Sequence, residues 1–357
     1  MTEASLTNLL ADRIRRGGPI SVADFMAEAL FHPELGYYTS RQPFGTQGDF
    51  TTAPEISQMF GEMLGLWCAV GWQALGSPKR VVLAEIGPGR GTLMADLLRA
   101  AQMVPGFRAA IDIHLVEASP RLAALQARTL AGHSVTWAER FQDLPDGPLI
   151  LVANELFDAL PIRQFVRSKG IWRERMVGLE APGFGFVAGP ETEPDLPAGL
   201  LASAKDGDIA ETCPAGRALA AAIGARIGRE PGLALVIDYG HPRSGLGDTL
   251  QAVRRHRFHP VLDDPGQADI TAHVDFEALA QAALPARAWG VATQGEFLRR
   301  LGIETRAAML AQAGGDKVAG EIAGQLRRLI DSKEMGTLFK VLALAHPALP
   351  APLGFVG

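Results

Sequence analysis

From Arg80 onward the chain alternates short, unbroken apolar runs with longer stretches whose apolar residues recur every three or four positions. That is the pattern of βαβ units feeding a parallel sheet. Val81 to Ile86 reads as a buried strand that halts at Gly87, and Thr92 to Ala101 carries Leu93, Met94, Leu97 and Leu98 on one helical face. The same reading predicts strands at 112–117, 135–141 and 148–153, with a helix over 120–130 between the first two. A helix over about 215–229 leads into a further strand at 233–238. The C-terminal part predicts a helix near 275–284, a strand around 289–293, helices to about 331 and a last strand at 338–344.

Two stretches break the alternation. Around 161–188 the pattern is that of antiparallel hairpins, with 164–166 and 172–177 joined through Lys169 and Gly170, and 189–210 is a connection rich in proline and acid. Residues 240–272 are irregular, basic and histidine-bearing. Before Arg80 the chain reads as helices separated by a glycine-, proline- and threonine-rich run from Tyr37 to Pro54, long enough to be an ordered lid or binding loop. The expected fold is α/β, a doubly wound and mostly parallel Rossmann-like sheet. A helical cap over 1–79 precedes a core over 80–357, which carries insertions at about 161–230 and 240–272.

Composition narrows the function classes. With 357 residues, 47% of them hydrophobic and 20% charged, the chain can bury a sizeable core. Its two cysteines, Cys68 and Cys213, show no metal-ligand spacing, and no metal is expected. His256, His259 and His273 lack a ligand pattern as well. No apolar run is long enough to span a membrane, and the first 30 residues carry Asp12, Arg13, Arg15, Arg16, Asp24 and Glu28 without a signal-peptide core. A cytoplasmic protein is therefore expected. The formal net charge of −5 gives no general attraction for phosphate backbones, and Arg254 to Arg257 reads as a solvated loop, so nucleic acid is not expected as a partner. A phosphate-binding Gly-x-x-x-x-Gly-Lys-Ser/Thr sequence is missing.

The candidate chemistry follows the strand ends. In an open parallel sheet, ligands sit beyond the carboxyl ends of the strands at the switch point between its halves. Gly87, Gly89 and Gly91 follow the first strand directly, where glycine lets the backbone turn sharply and approach a ligand. Thr92 stands where a dinucleotide fingerprint needs its third glycine, and Glu85 precedes the loop. That acid suits a cationic cofactor such as S-adenosylmethionine better than a pyrophosphate. Glu117 ends the second strand, placed to accept hydrogen bonds from ribose hydroxyls, and Phe141 and Asp143 follow the third, placed for an adenine. The fourth strand ends in Asn154-Glu155-Leu156-Phe157-Asp158, where Asn154 faces the cofactor and the carboxylates of Glu155 and Asp158 align a methyl acceptor and take its proton. A carboxylate pair matches a guanidinium in geometry and charge. The plainer reading, in which Asn154 or Asp158 only caps a helix, stays open. Asp238 to His241 ends the fifth strand and offers a further acid or a lid anchor.

Five segments together resemble the MidA family of class I methyltransferases: Phe31 to Tyr38, Gly48 to Ser57, Glu85 to Gly91, Asn154 to Pro161, and Asp238 to His241 with Asp269 to Phe276. The resemblance implies a Rossmann-like methyltransferase fold and S-adenosylmethionine as cofactor. It further implies that Gly48 and Asp49 close over that cofactor, with Asp49 beside the acceptor. The acceptor it implies is an arginine, symmetrically dimethylated, on the quinone-proximal core subunit of respiratory complex I. Two rivals stand beside this: a cofactor-binding assembly factor without turnover, and an NAD-dependent oxidoreductase.

Overall fold

The computed structural model describes residues 5–40 and 52–355. Among the described residues, seven strands make up the main path of the eight-stranded large sheet: β1 (Val81–Ile86), β2 (Ile111–Val116), β3 (Val135–Ala138), β4 (Leu149–Asn154), β5 (Gly232–His241), β6 (Arg287–Thr293) and β7 (Phe339–Ala345). They lie in the order β6-β7-β5-β4-β1-β2-β3. All neighbours from β5 to β3 pair in parallel, while β7 runs antiparallel to both β5 and β6.

β1 and β4 are buried along their whole length, as expected of strands covered on both faces, which is why each reads as an apolar run up to Glu85 and Asn154. The chain leaves β1 toward β2 and β3 on one side and returns as β4 on the other. The carboxyl ends of β1 and β4 therefore flank the switch point, where a doubly wound sheet opens its ligand crevice.

Helices Gln58–Ala74 and Thr92–Ala101 cover this sheet, and Trp67, Phe60, Met94, Leu97 and Phe107 fill the core between the layers. The C-terminal helical stretch Ile303–Ile330 is two helices joined at Gly315, whose φ of 72° interrupts the helix. Arg306 at its start pairs in bidentate fashion with the buried Glu62 of the Gln58–Ala74 helix, at 2.8 and 3.1 Å.

The chain divides into two compact units. The first comprises the described residues within Met1–Phe50, Asp158–Ala218 and His241–Ala278; the second holds the large sheet, over Thr51–Phe157, Leu219–Gly240 and Leu279–Gly357. The first unit is built on antiparallel strands Ile20–Ser21, Arg163–Ser168, Ile171–Glu180, Gly183–Glu191 and Ile209–Thr212, with a smaller sheet of Gln251–Arg254, Arg257–His259 and Asp269–Thr271. Its core gathers Phe25, Met26, Leu30, Tyr37, Ile162 and Val177.

Three local expectations need correction. The third strand ends at Ala138 instead of 141, because Arg140 and Asp143 bind each other across a 3-10 turn at Phe141–Asp143. The connection expected at 189–210 contains the end of strand Gly183–Glu191, a helix at Ala198–Ser203 and a strand at Ile209–Thr212. The segment expected to be irregular at 240–272 holds three short strands.

Candidate active site

The glycine loop leaves β1 with positive φ at all three glycines: 67° at Gly87, 51° at Gly89 and 81° at Gly91. Gly87 N–H still donates to Val116 O on β2 at 3.1 Å, so the turn begins while the backbone is tied to its neighbour. A side chain at Gly87 would put its Cβ 2.8 Å from Leu156 Cδ1. Gly91 then caps the Thr92–Ala101 helix from the left-handed region, which leaves the first amides of that helix at the crevice.

Glu85, two residues before the loop, is 3% exposed, and its Oε2 has no hydrogen-bond partner. Burial pushes its carboxyl up to about 8, against the opposing effect of the Met94 backbone amide. A buried acid with an orphaned oxygen beside a glycine loop is complementary to a cationic ligand, and the α-ammonium and sulfonium of S-adenosylmethionine supply such charge. The residues present thus fit that cofactor.

Glu117 follows β2. Its Oε1 accepts the Ser119 amide at 2.8 Å and its Oε2 accepts Gln126 Nε2 at 3.0 Å. Burial raises its carboxyl above the usual range, opposed by these hydrogen bonds. Phe141 is buried, with the Arg226 guanidinium 6.0 Å from its ring centroid. Asp143, expected to bind an adenine, directs its carboxylate at Arg140, accepting from the Arg140 amide at 3.1 Å and from its guanidinium at 3.0 and 3.2 Å. The Arg140 side chain holds its carboxyl below the ordinary value.

The fourth-strand segment is more tightly held than its sequence implies. Glu155 has φ of 51°, a strained value for a residue with a side chain and one that is concentrated at functional sites. Its Oε1 accepts the Ala53 amide at 2.8 Å and Asn154 Nδ2 at 3.0 Å, while Asn154 Oδ1 is buried without a partner. Ala53 opens the short helix Ala53–Ile56, and Glu55 of that helix accepts from Thr92 Oγ1 at 2.6 Å and from Arg90 at 3.4 Å. One turn of helix therefore ties the glycine loop to the end of β4. Asp158, in the 3-10 turn Phe157–Ala159, is 8% exposed. Within its own unit, Asp158 and Asp269 both act on the Tyr38 hydroxyl, which donates to Asp269 Oδ1 at 2.9 Å and is pushed well above the usual tyrosine range by burial and then by these charges. Gly48 and Asp49 lie outside the described residues.

Of three supporting residues, Arg226 and Gln126 were not found from the sequence, and Asp238 was read only as a further acid or a lid anchor. Asp238, fully buried, accepts the amides of Leu156, Phe157 and Tyr239 at 3.1, 2.9 and 2.9 Å and so anchors the segment after β4. Arg226 is buried and donates to the carbonyls of Leu144 at 3.4 Å and of Pro145, holding the loop after β3. Gln126 joins the glycine loop to Glu117. Only Asp238 carried a signal, its place at a strand end.

A family model described as an S-adenosyl-L-methionine-dependent methyltransferase matches residues 63–294. The zebrafish protein arginine methyltransferase NDUFAF7, mitochondrial, is 36% identical over 96% of this chain and 87% of its own length. Its human counterpart is 34% identical over 93% and 81%. A Burkholderia thailandensis protein, solved with S-adenosyl-homocysteine bound, superposes with a TM-score of 0.85 at 30% identity, covering 98% of this chain and 93% of that one. The curated relatives are mitochondrial proteins, which overturns the expectation of a cytoplasmic location. Among the described residues no helix is long and apolar enough to cross a membrane. A glycine loop at the switch point, an orphaned acid before it, an acid after β2 and these likenesses agree, and the chain belongs to the family of S-adenosyl-L-methionine-dependent methyltransferases.

Proposed function

We propose that the chain methylates an arginine side chain of a protein, with Glu155 as the group that receives the guanidinium and Asp158, three residues on, as a second carboxylate. The observation that carries this reading is the strained Glu155 at the carboxyl end of β4, one strand from the glycine loop, with its carboxylate held by Ala53 and Asn154. Relatives named protein arginine methyltransferases support it.

When bound, S-adenosylmethionine supplies a methyl group already activated by its sulfonium, so the chain's own residues chiefly align and deprotonate the acceptor. A guanidinium pairs with carboxylates through charge-assisted, fork-like hydrogen bonds that fix which nitrogen points at the cofactor. That nitrogen must give up a proton, and a carboxylate in contact with it is the base at hand. In the same reading Glu85, Gly87, Gly89, Gly91, Glu117 and Asn154 hold the cofactor, and Phe141 borders its adenine. Asp143 has the weakest support, since its carboxylate is engaged by Arg140.

For the acceptor we take the quinone-proximal core subunit of respiratory complex I, supported by the mitochondrial arginine methyltransferases among the relatives and by the sequence resemblance. The test is transfer of labelled methyl from the cofactor to that purified subunit, followed by mass spectrometry. A dimethylated arginine formed by the wild-type chain, and lost when that arginine is changed to lysine, supports the reading. Label on lysine or on no residue rejects it.

A further inference from the structure

Gln126 lies between the glycine loop and Glu117 and is 0% exposed. Its Nε2 donates to Gly89 O at 2.9 Å and to Glu117 Oε2 at 3.0 Å, and its Oε1 accepts from Trp137 Nε1 at 2.9 Å. A primary amide has two N–H donors, and both are used; the carbonyl is used as well. The orientation is forced, because the flipped amide would set its carbonyl against a carbonyl and a carboxylate, and its NH2 against the indole N–H. One side chain thereby joins four elements: the glycine loop after β1, the residue after β2, the helix Pro120–Thr129, and β3.

We infer that Gln126 is a positioning residue of the cofactor site, fixing the spacing between the glycine loop and the Glu117 carboxylate without itself reaching the ligand. Two consequences follow. A hydrogen-bond donor aimed at Glu117 favours its ionised form, opposing the burial that disfavours it. Gly89, held by its carbonyl, presents a loop already shaped for the ligand, so its ordering cost is not charged against binding. The other groups acting on Glu117 are the Ser119 and Ala118 amides, both neutral. Arg121 and Arg128 on the same helix, and Glu139 and Arg140 after β3, are exposed, and Glu85 on the adjacent strand is buried.

Two variants separate positioning from a merely structural role. Gln126→Leu removes both donors and should weaken S-adenosyl-homocysteine binding by about tenfold or more, the effect of losing a hydrogen bond to a charged group. Turnover at saturating cofactor should stay within about threefold. In Gln126→Glu, two carboxylates face each other and share a proton at low pH, and that proton restores a donor to Glu117. That single proton restores one of the two donors, so calorimetric titration should give a ratio of variant to wild-type dissociation constants that rises by about tenfold or more from pH 6 to pH 9. An unchanged dissociation constant in Gln126→Leu would overturn the inference. A Gln126→Glu ratio that is large and equal at both pH values would do so as well, since a fold defect is not rescued by one proton.

Discussion

Asp238 Oδ2 accepts the backbone amide of Phe157 at 2.9 Å, across 81 residues of chain, and the same oxygen accepts the Leu156 amide at 3.1 Å. With the Tyr239 amide on the other oxygen, this buried carboxylate serves three backbone donors. It is the anchor for the segment that carries Glu155. Asp238→Ala leaves buried donors unsatisfied and should cost about 3 kcal/mol of stability. Chemical denaturation followed by circular dichroism measures this, and a loss below about 1 kcal/mol would mean that the segment is held by other contacts.

Gly87→Val should abolish cofactor binding. The new Cβ would lie 2.8 Å from Leu156 Cδ1, and a β-branched residue resists a φ of 67°. Gly87→Ala carries the same φ penalty and Cβ contact with less bulk, so it should retain weak binding. Titration with S-adenosylmethionine ranks the three proteins, and equal affinity in all of them would remove the loop from the site.

Glu85 gives a signed pH prediction. Burial lifts its carboxyl in the folded protein to about 8, above the 4.5 of a free glutamate side chain, so the folded protein binds more protons than the unfolded chain between those values. Stability of the cofactor-free protein should therefore fall as pH rises from about 4.5 to 8, and level off above that. A cationic cofactor prefers the ionised carboxylate, so its affinity should climb with pH to about 8 in the wild type relative to Glu85→Gln. Parallel titrations of the two proteins check this; an affinity ratio independent of pH would place the cofactor's charge elsewhere.

Arg226→Met should weaken cofactor binding several-fold without touching the crevice. The buried guanidinium holds the Leu144 and Pro145 carbonyls and lies over Phe141, the ring proposed to border adenine. Binding of S-adenosyl-homocysteine and of a truncated ligand lacking adenine distinguishes the cause. Only the former should suffer.

The large sheet was legible because β1, β4 and β5 each carry a continuous apolar run ahead of a polar residue near the strand end, and the glycines after β1 mark the switch point. Glu85 and Glu117 were legible from their place at strand ends. The far end of strand Gly183–Glu191 was not, since residues from 189 on read as a proline- and acid-rich connection, and pairing with Ile171–Glu180 carries the strand to Glu191. Gln126 and Arg226 read as polar positions on amphipathic helices, and nothing local shows that their side chains turn inward. The contact between Glu155 and Ala53, 102 residues apart, is likewise a product of the fold alone.

Glu155 is the residue proposed to serve the acceptor arginine. Glutamine at this position can still accept from Ala53 and Asn154, so the helix Ala53–Ile56 keeps its anchor while the negative charge is lost. Asp158→Asn should act in the same direction, less strongly. The deciding measurement pairs S-adenosylmethionine affinity with methyl transfer to the acceptor protein in Glu155→Gln. Affinity should stay within about threefold of wild type while transfer falls by about 10², the scale of a lost general base. Wild-type transfer in this variant would contradict the account.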